Sequence, residues 1–311
     1  MHRRRQAGGV LTATPARVLS RDGGSYRVEL DGEARTAVLR GKAHHGDRAV
    51  AGDLVTIDPV TLGEPVLAIS DVLPRRSLLE RRTPDGRGTR PVAANVDQVV
   101  VVTAAASPDP VLQLIDRLLV IAEANHLPAV VVVNKVDLAG AEVVSDHLRA
   151  TAYPVLATSV ARATGLDALH DLLHDRVSVL TGPSGAGKSS LLNAVEPGFG
   201  LRVGEVSRKV GRGRHTTTTA TMIRLPGGGY IVDTPGFSEV GVWDVRPAAL
   251  AALFPEFRDR ADACRFGDCH HRHEPGCAVL EAIAEGAIPA TRHEGYLAIL
   301  AELEAMPEEW E

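Results

Sequence analysis

Gly182-Pro183-Ser184-Gly185-Ala186-Gly187-Lys188-Ser189 joins three glycines to a lysine and a hydroxyl. Glycines let successive backbone N–H groups turn inward, and a helix beginning at the lysine adds positive potential at the same point. Such a loop cradles a phosphate chain. Lys188 reaches the β and γ phosphates, the Ser189 hydroxyl ligates Mg²⁺, and Ser190 completes the run. The flanking pattern is the one this motif requires: an apolar strand, Arg176–Thr181, before it and a helix, Lys188–Val195, after it.

A second set of residues reads a base. Asn134-Lys135-Val136-Asp137 closes the apolar run Ala129–Val133. A carboxylate at Asp137 accepts from both N1–H and the exocyclic N2–H of guanine, a donor pair that adenine lacks. A site built on that pair rejects the wrong base by leaving a buried carboxylate unpaired. The Lys135 stem lies over the purine face and Asn134 braces the loops. Thr158-Ser159, ending the next strand, is placed to offer a backbone N–H to guanine O6. Asp233-Thr234-Pro235-Gly236 follows Tyr230-Ile231-Val232. Asp233 is expected to hold Mg²⁺ through water, and the Gly236 N–H to sense the γ phosphate.

The base reader precedes the phosphate loop, the reverse of the order in Ras-like GTPases. A site depends on where groups sit in space, so a circular permutation preserves the chemistry. Phe237 follows the glycine and cannot polarise water, so the hydrolytic group must come from elsewhere. Residues 211–219, Gly-Arg-Gly-Arg-His-Thr-Thr-Thr-Thr, offer Thr217 to complete the Mg²⁺ shell and His215 to orient or deprotonate water. The competing reading has Arg212, Arg214 and His215 contacting RNA phosphates.

All three cysteines fall in Cys264-x4-Cys269-x-His271-x5-Cys277. Three thiolates and one imidazole make a closed, structural zinc site, with His270 and His273 rivals for the fourth position. The clustering points to a metal in a reducing cytoplasm rather than a disulfide framework.

The elements that position these groups follow from periodicity. Short alternating segments with Gly/Asp turns over about residues 8–72 (Tyr26, Val28, Leu30; Ala37 to Leu39; Val55, Ile57; Val66, Ala68) predict a small OB-like barrel. The Arg-, Gly- and Pro-rich stretch 74–91 reads as a linker. From Asn95, strands and helices alternate: Val96–Thr103 as a buried parallel strand, Asp109-Pro110 as cap and first turn of a helix carrying Val111, Leu114, Ile115, Leu118, Leu119 and Ala122, and a hairpin, Thr221–Leu225 with Tyr230–Val232, delivering Asp233. Helices near Ala278–Ala284 and His293–Leu303 would pack on the metal knot. The resulting expectation is an α/β circularly permuted P-loop GTPase domain (93–240). It follows an OB-like barrel (1–74) and linker (75–92) and precedes a zinc-binding helical domain (241–311).

At 44% hydrophobic and 23% charged residues, the composition is that of a soluble globular chain, with no apolar run long enough for a membrane span. The formal charge of −5 is unevenly spread. Residues 1–92 hold 16 Lys/Arg against 11 Asp/Glu, the 201–215 segment has five cations against Glu205, and 279–311 has eight Glu and only Arg292. Segregation of this kind permits local phosphate contacts despite an acidic total.

The order NKVD–GPSGAGKSS–DTPGF, the 211–218 loop and the Cys264–Cys277 run together resemble the RsgA family of small ribosomal subunit biogenesis GTPases, over nearly the whole chain. That resemblance implies late maturation of the small ribosomal subunit, rRNA contacts with an RNA-binding role for the 1–74 barrel, and stimulation of GTP turnover by that particle. It also implies His271 as fourth zinc ligand and a hydrolytic role at His215. A cytoplasmic monomer is expected, with GTP and GDP as substrate and product. The alternatives are an RNA-binding module whose nucleotide is structural, and a P-loop kinase or ATPase.

Overall fold

The computed structural model describes residues 14–40, 48–82, 88–196, 198, 200, 220–234 and 245–305. Five strands, β1 (Thr14–Asp22), β2 (Ser25–Leu30), β3 (Glu33–Leu39), β4 (Leu54–Ile57) and β5 (Val66–Val72), close into a barrel in the order β1-β2-β3-β5-β4. The interior is filled by Val18, Tyr26, Val28, Ala37, Val55, Ile57, Leu67 and Ile69, as the alternation of β2 and β4 predicts. In β5 the phase differs from the expectation. Val66 is exposed and Leu67 and Ile69 point inward, because Leu67 is register partner to the interior residue Ala37.

The stretch read as a linker holds most of a hairpin. β6 (Leu78–Arg82) pairs antiparallel with β7 (Thr89–Ala94) and buries Leu79 and Ala93. The barrel is tied to it: Asn95 Nδ2 donates to the Gly52 carbonyl at 3.0 Å, and Arg75 forms a two-pronged ion pair with the buried Asp53.

The central sheet has the order β10-β9-β8-β11-β13-β12. Its members are β8 (Gln98–Ala104), β9 (Ala129–Asn134), β10 (Val155–Ala157), β11 (Val177–Thr181), β12 (Thr221–Arg224) and β13 (Tyr230–Asp233), all parallel except the β12–β13 hairpin. Every residue of β8, β9 and β11 is buried, the pattern of strands covered on both faces. Helices α1 (Leu112–Ala124), α2 (Glu142–Leu148), α3 (Leu166–Leu173) and α4 (Lys188–Val195) flank the sheet. Helix α1 starts later than expected, with Val111 rather than Asp109 at its cap and no side-chain cap bond. Pro110 disfavours helical geometry at Asp109, so the turn forms beyond it.

A 3-10 helix (Pro247–Leu253), α5 (Pro255–Ala261), α6 (Ala278–Ala284) and α7 (Ala290–Ala305) build the C-terminal unit around Phe254, Phe257, Tyr296, Ile299 and Leu300. This core includes Val120 of α1, so the unit packs directly on the sheet domain. A buried charge cluster sits in the seam. Arg292 donates to both Asp116 of α1 and Glu256 of α5, while His147 of α2 bonds Asp116 at 2.7 Å and Thr291 at 2.8 Å.

Candidate nucleotide site and metal cage

In a parallel sheet the carboxyl ends of the strands share one edge, and ligands bind there. β9 ends at Asn134, β10 leads to Thr158, β11 leads to Gly182, and β13 ends at Asp233. The rotated order therefore disappears in space. β8 lies between β9 and β11, and its exit loop joins the base reader to the phosphate loop: Lys135 donates its ammonium to the Ser107 carbonyl, and Pro108 faces Gly185.

Two glycines of the phosphate loop are required by geometry. Gly182 has φ 131°, and a Cβ there would overlap the Val102 carbonyl of β8. Gly187 has φ 94° and sits against the Asn134 side-chain amide, which leaves no room for a Cβ. That amide is the link between the two halves. Asn134 is 2% exposed, its Nδ2 donates to the Ala186 carbonyl at 2.9 Å, and its Oδ1 accepts from Thr158 Oγ1 at 3.3 Å. One side chain thus holds the base-reading strand, the phosphate loop and the β10 exit together.

Asp137 accepts a hydrogen bond from Ser159 Oγ, and that bond, ahead of the opposing effect of burial, holds its carboxyl below the usual range. The N–H groups of Thr158 and Ser159 donate to the carbonyls of Val133 and Thr164. Both lie within the site, but the N–H expected to meet a base is already engaged at each. The next one, on Val160, has no partner among the described residues. Sequence reading did not single out Val160, because the state of a backbone N–H leaves no side-chain pattern.

Lys188 is 9% exposed and spans the loop, its Nζ donating to the carbonyls of Gly182 at 2.7 Å and Pro183 at 2.9 Å. Burial lowers its pKa, with Asp233 opposing. Burial likewise pushes the Asp233 carboxyl up to about 6, against the pull of Lys188. Buried Ser189 opens α4, so a hydroxyl and a carboxylate, both hard oxygen donors, flank the lysine as Mg²⁺ demands. His215, Thr217 and Gly236 lie outside the described residues.

In the C-terminal unit one ligand atom each from Cys264, Cys269, His271 and Cys277 lies within 4.8 Å of the others. Cys264 Sγ is 3.9 Å from Cys277 Sγ, and His271 Nδ1 is 3.3 Å from Cys277 Sγ. Tetrahedral zinc with bonds of ~2.3 Å to sulfur separates its thiolates by ~3.8 Å, so the cage fits. His271 is buried whereas His270 and His273 are exposed, which removes both rivals. Burial pushes the Cys269 thiol up to about 12, opposed by the His271 backbone N–H and reinforced by the thiols of Cys277 and Cys264. A divalent cation reverses that pressure by binding the thiolate. Glu274 shapes the loop by accepting from the N–H groups of His270, Arg272 and His273.

A family model described as RsgA GTPase matches residues 72–243. A Gemmatimonas aurantiaca protein named small ribosomal subunit biogenesis GTPase RsgA is 47% identical over 304 residues, covering 94% of this chain and 99% of that protein. The chain belongs to the RsgA family. An RsgA of the same designation from Thermotoga maritima is 41% identical over 281 residues, with 88% of this chain and 91% of that protein covered. Among solved structures, YjeQ from Thermotoga maritima superposes with a TM-score of 0.79 at 34% identity, covering 95% of this chain and all of that one. YloQ, described as a circularly permuted GTPase, gives 0.72 at 25% identity over 98% of this chain. The RsgA-family chain is thus a circularly permuted GTPase with an N-terminal five-stranded barrel and a C-terminal Cys3His cluster.

Proposed function

We propose that this chain hydrolyses GTP during late maturation of the small ribosomal subunit, binding rRNA and using the nucleotide as a conformational timer. Relatives of high coverage are named small ribosomal subunit biogenesis GTPase RsgA, which supports the GTPase and subunit-assembly part of this reading. The observation that carries the chemical reading is the Asn134 bridge, which joins base reader and phosphate loop into one site.

In this reading Asp137, oriented by Ser159, accepts the two guanine N–H groups, Lys135 covers the purine, and the N–H of Val160, which has no partner among the described residues, meets O6. Backbone N–H groups of residues 185–189 and the Lys188 ammonium hold the phosphates, with Gly236 at the γ position. Ser189 and Asp233, joined by Thr217, hold Mg²⁺. When bound, that ion neutralises charge on the β and γ oxygens. His215 orients the attacking water. Cys264, Cys269, His271 and Cys277 hold a structural zinc. Three units are inferred, 1–74, 93–240 and 241–311, in a cytoplasmic monomer. No helix among the described residues is long and apolar enough to cross a membrane. Cations of residues 1–92 and 201–215 supply rRNA phosphate contacts, so affinity for the subunit falls steeply with salt.

The test is GTP turnover with and without purified small subunits, for the native chain and for His215→Ala. Stimulation that His215→Ala abolishes supports the reading; equal rates with and without subunits overturn the timer.

A further inference from the structure

The hairpin that ends in Asp233 is gripped from outside by the barrel. β12 is the edge strand of the sheet, and the barrel lies against it. Glu29 of β2, with its side chain only 10% exposed, takes one bond from each hairpin strand: Oε1 from Arg224 of β12 at 2.8 Å and Oε2 from the Tyr230 hydroxyl of β13 at 3.1 Å. Arg224 and Tyr230 are cross-strand partners, so a single carboxylate pins a matched pair. Arg17, the β1 register partner of Glu29, lays its guanidinium 4.9 Å from the centre of the Tyr230 ring. Met222, further along β12, approaches Gly52 of the barrel so closely that a Cβ there would lie 3.1 Å from its methyl group.

The two arms of this clamp are unequal. The Arg224 side chain is 55% exposed, so its ion pair is screened and contributes little. The phenol arm is half-buried and less screened: burial, then Glu29, raises the Tyr230 pKa above its ordinary value. From Tyr230, three strand steps, about 10 Å, lead to Asp233 opposite Thr221. The barrel therefore holds one end of a short rigid hairpin whose other end stands beside Lys188.

We propose that Glu29 is a positioning residue for nucleotide turnover: through Tyr230 it fixes the strand that carries Asp233. This makes the barrel part of the hydrolytic apparatus as well as a surface for RNA. The inference rests on the reading of Asp233 as an Mg²⁺-holding group.

The test compares Glu29→Ala, Glu29→Gln and Tyr230→Phe with the native chain. Loss of a hydrogen bond to a charged group predicts a kcat about tenfold lower, with KM for GTP changed less than about twofold. The Mg²⁺ concentration for half-maximal turnover should rise several-fold. GDP affinity in metal-free buffer should stay unchanged, and amide hydrogen exchange over 221–234 should accelerate. Glu29→Gln, which retains an acceptor, should be the mildest. Tyr230→Phe lies outside the barrel and keeps a ring under Arg17, so it decides the matter if Glu29→Ala fails to fold. Native kcat, Mg²⁺ midpoint and exchange in Tyr230→Phe would overturn the proposal. Absence of GTP turnover in the native chain would sink the proposed function instead, while the exchange measurement still reports on the clamp.

Discussion

Replacing Asn134 with alanine cuts the bridge on which the nucleotide site depends. Asn134 is 2% exposed, and its amide is bonded to the Ala186 carbonyl on one side and the Thr158 hydroxyl on the other. Truncation leaves that carbonyl without a buried donor, at a cost of about 1–3 kcal/mol. The Thr158 hydroxyl can rotate toward the Val133 carbonyl, 3.4 Å away, so its loss is smaller. The same free energy, expressed as binding, weakens guanine nucleotide affinity by roughly five- to 150-fold. Because the bridge fixes the phosphate loop, inorganic pyrophosphate binding should weaken alongside GDP binding. Asp137→Ala, by contrast, should impair GDP and leave pyrophosphate unaffected. Fluorescent-GDP titration and calorimetric pyrophosphate binding make the comparison, with circular dichroism to confirm folding. If Asn134→Ala binds GDP within about twofold of the native chain, the bridging argument is wrong.

Other expectations follow from the seams and cages. Arg292→Leu leaves Asp116 and Glu256 facing each other without their shared cation, in groups that are at most 1% exposed. Urea unfolding should show a loss of about 3–5 kcal/mol, and an unchanged midpoint would mean the cluster contributes nothing. The raised Asp233 pKa has a definite pH signature. Between an ordinary value near 4 and about 6 the folded chain binds a proton that the unfolded chain has released, so stability falls as pH rises through that window and is flat above it. The drop is on the order of 3 kcal/mol in metal- and nucleotide-free buffer, and Asp233→Asn should lack it. Chelating zinc should loosen α5–α7 while leaving GDP affinity nearly native; complete loss of GDP binding would show that the cage also supports the nucleotide site.

The parts of this molecule written in local pattern were legible from sequence. The phosphate loop, the Asn134–Asp137 turn and the Cys3His run are short, and each residue type follows directly from the ligand it serves. Continuous apolar runs marked β8, β9 and β11 because strands buried on both faces need no polar side. What the sequence hid is held by distant partners. The β6–β7 hairpin carries arginines and a proline and is stabilised from outside: the Glu80 N–H donates to Asn125 Oδ1, forty-five positions away. Helix α2 is only seven residues long, too short to show a helical period, and its burial of His147 depends on Asp116 and Thr291. Glu29 reads as one more surface acid on a barrel strand until Tyr230, 201 positions on, closes over it. The choice of His271 over His270 and His273 came from the family resemblance and not from spacing, in which neighbouring imidazoles are equivalent; in the fold they differ in burial.

Base selectivity after Asp137→Asn, read as turnover of GTP against xanthosine triphosphate, tests most directly whether a base reader on β9 and a phosphate loop on β11 serve one nucleotide. Asparagine replaces an acceptor with a donor, which suits the extra carbonyl of xanthine and mismatches the amino group of guanine. The account predicts that GTP turnover collapses and xanthosine triphosphate becomes the preferred substrate. Unaltered preference for GTP in that variant would contradict it.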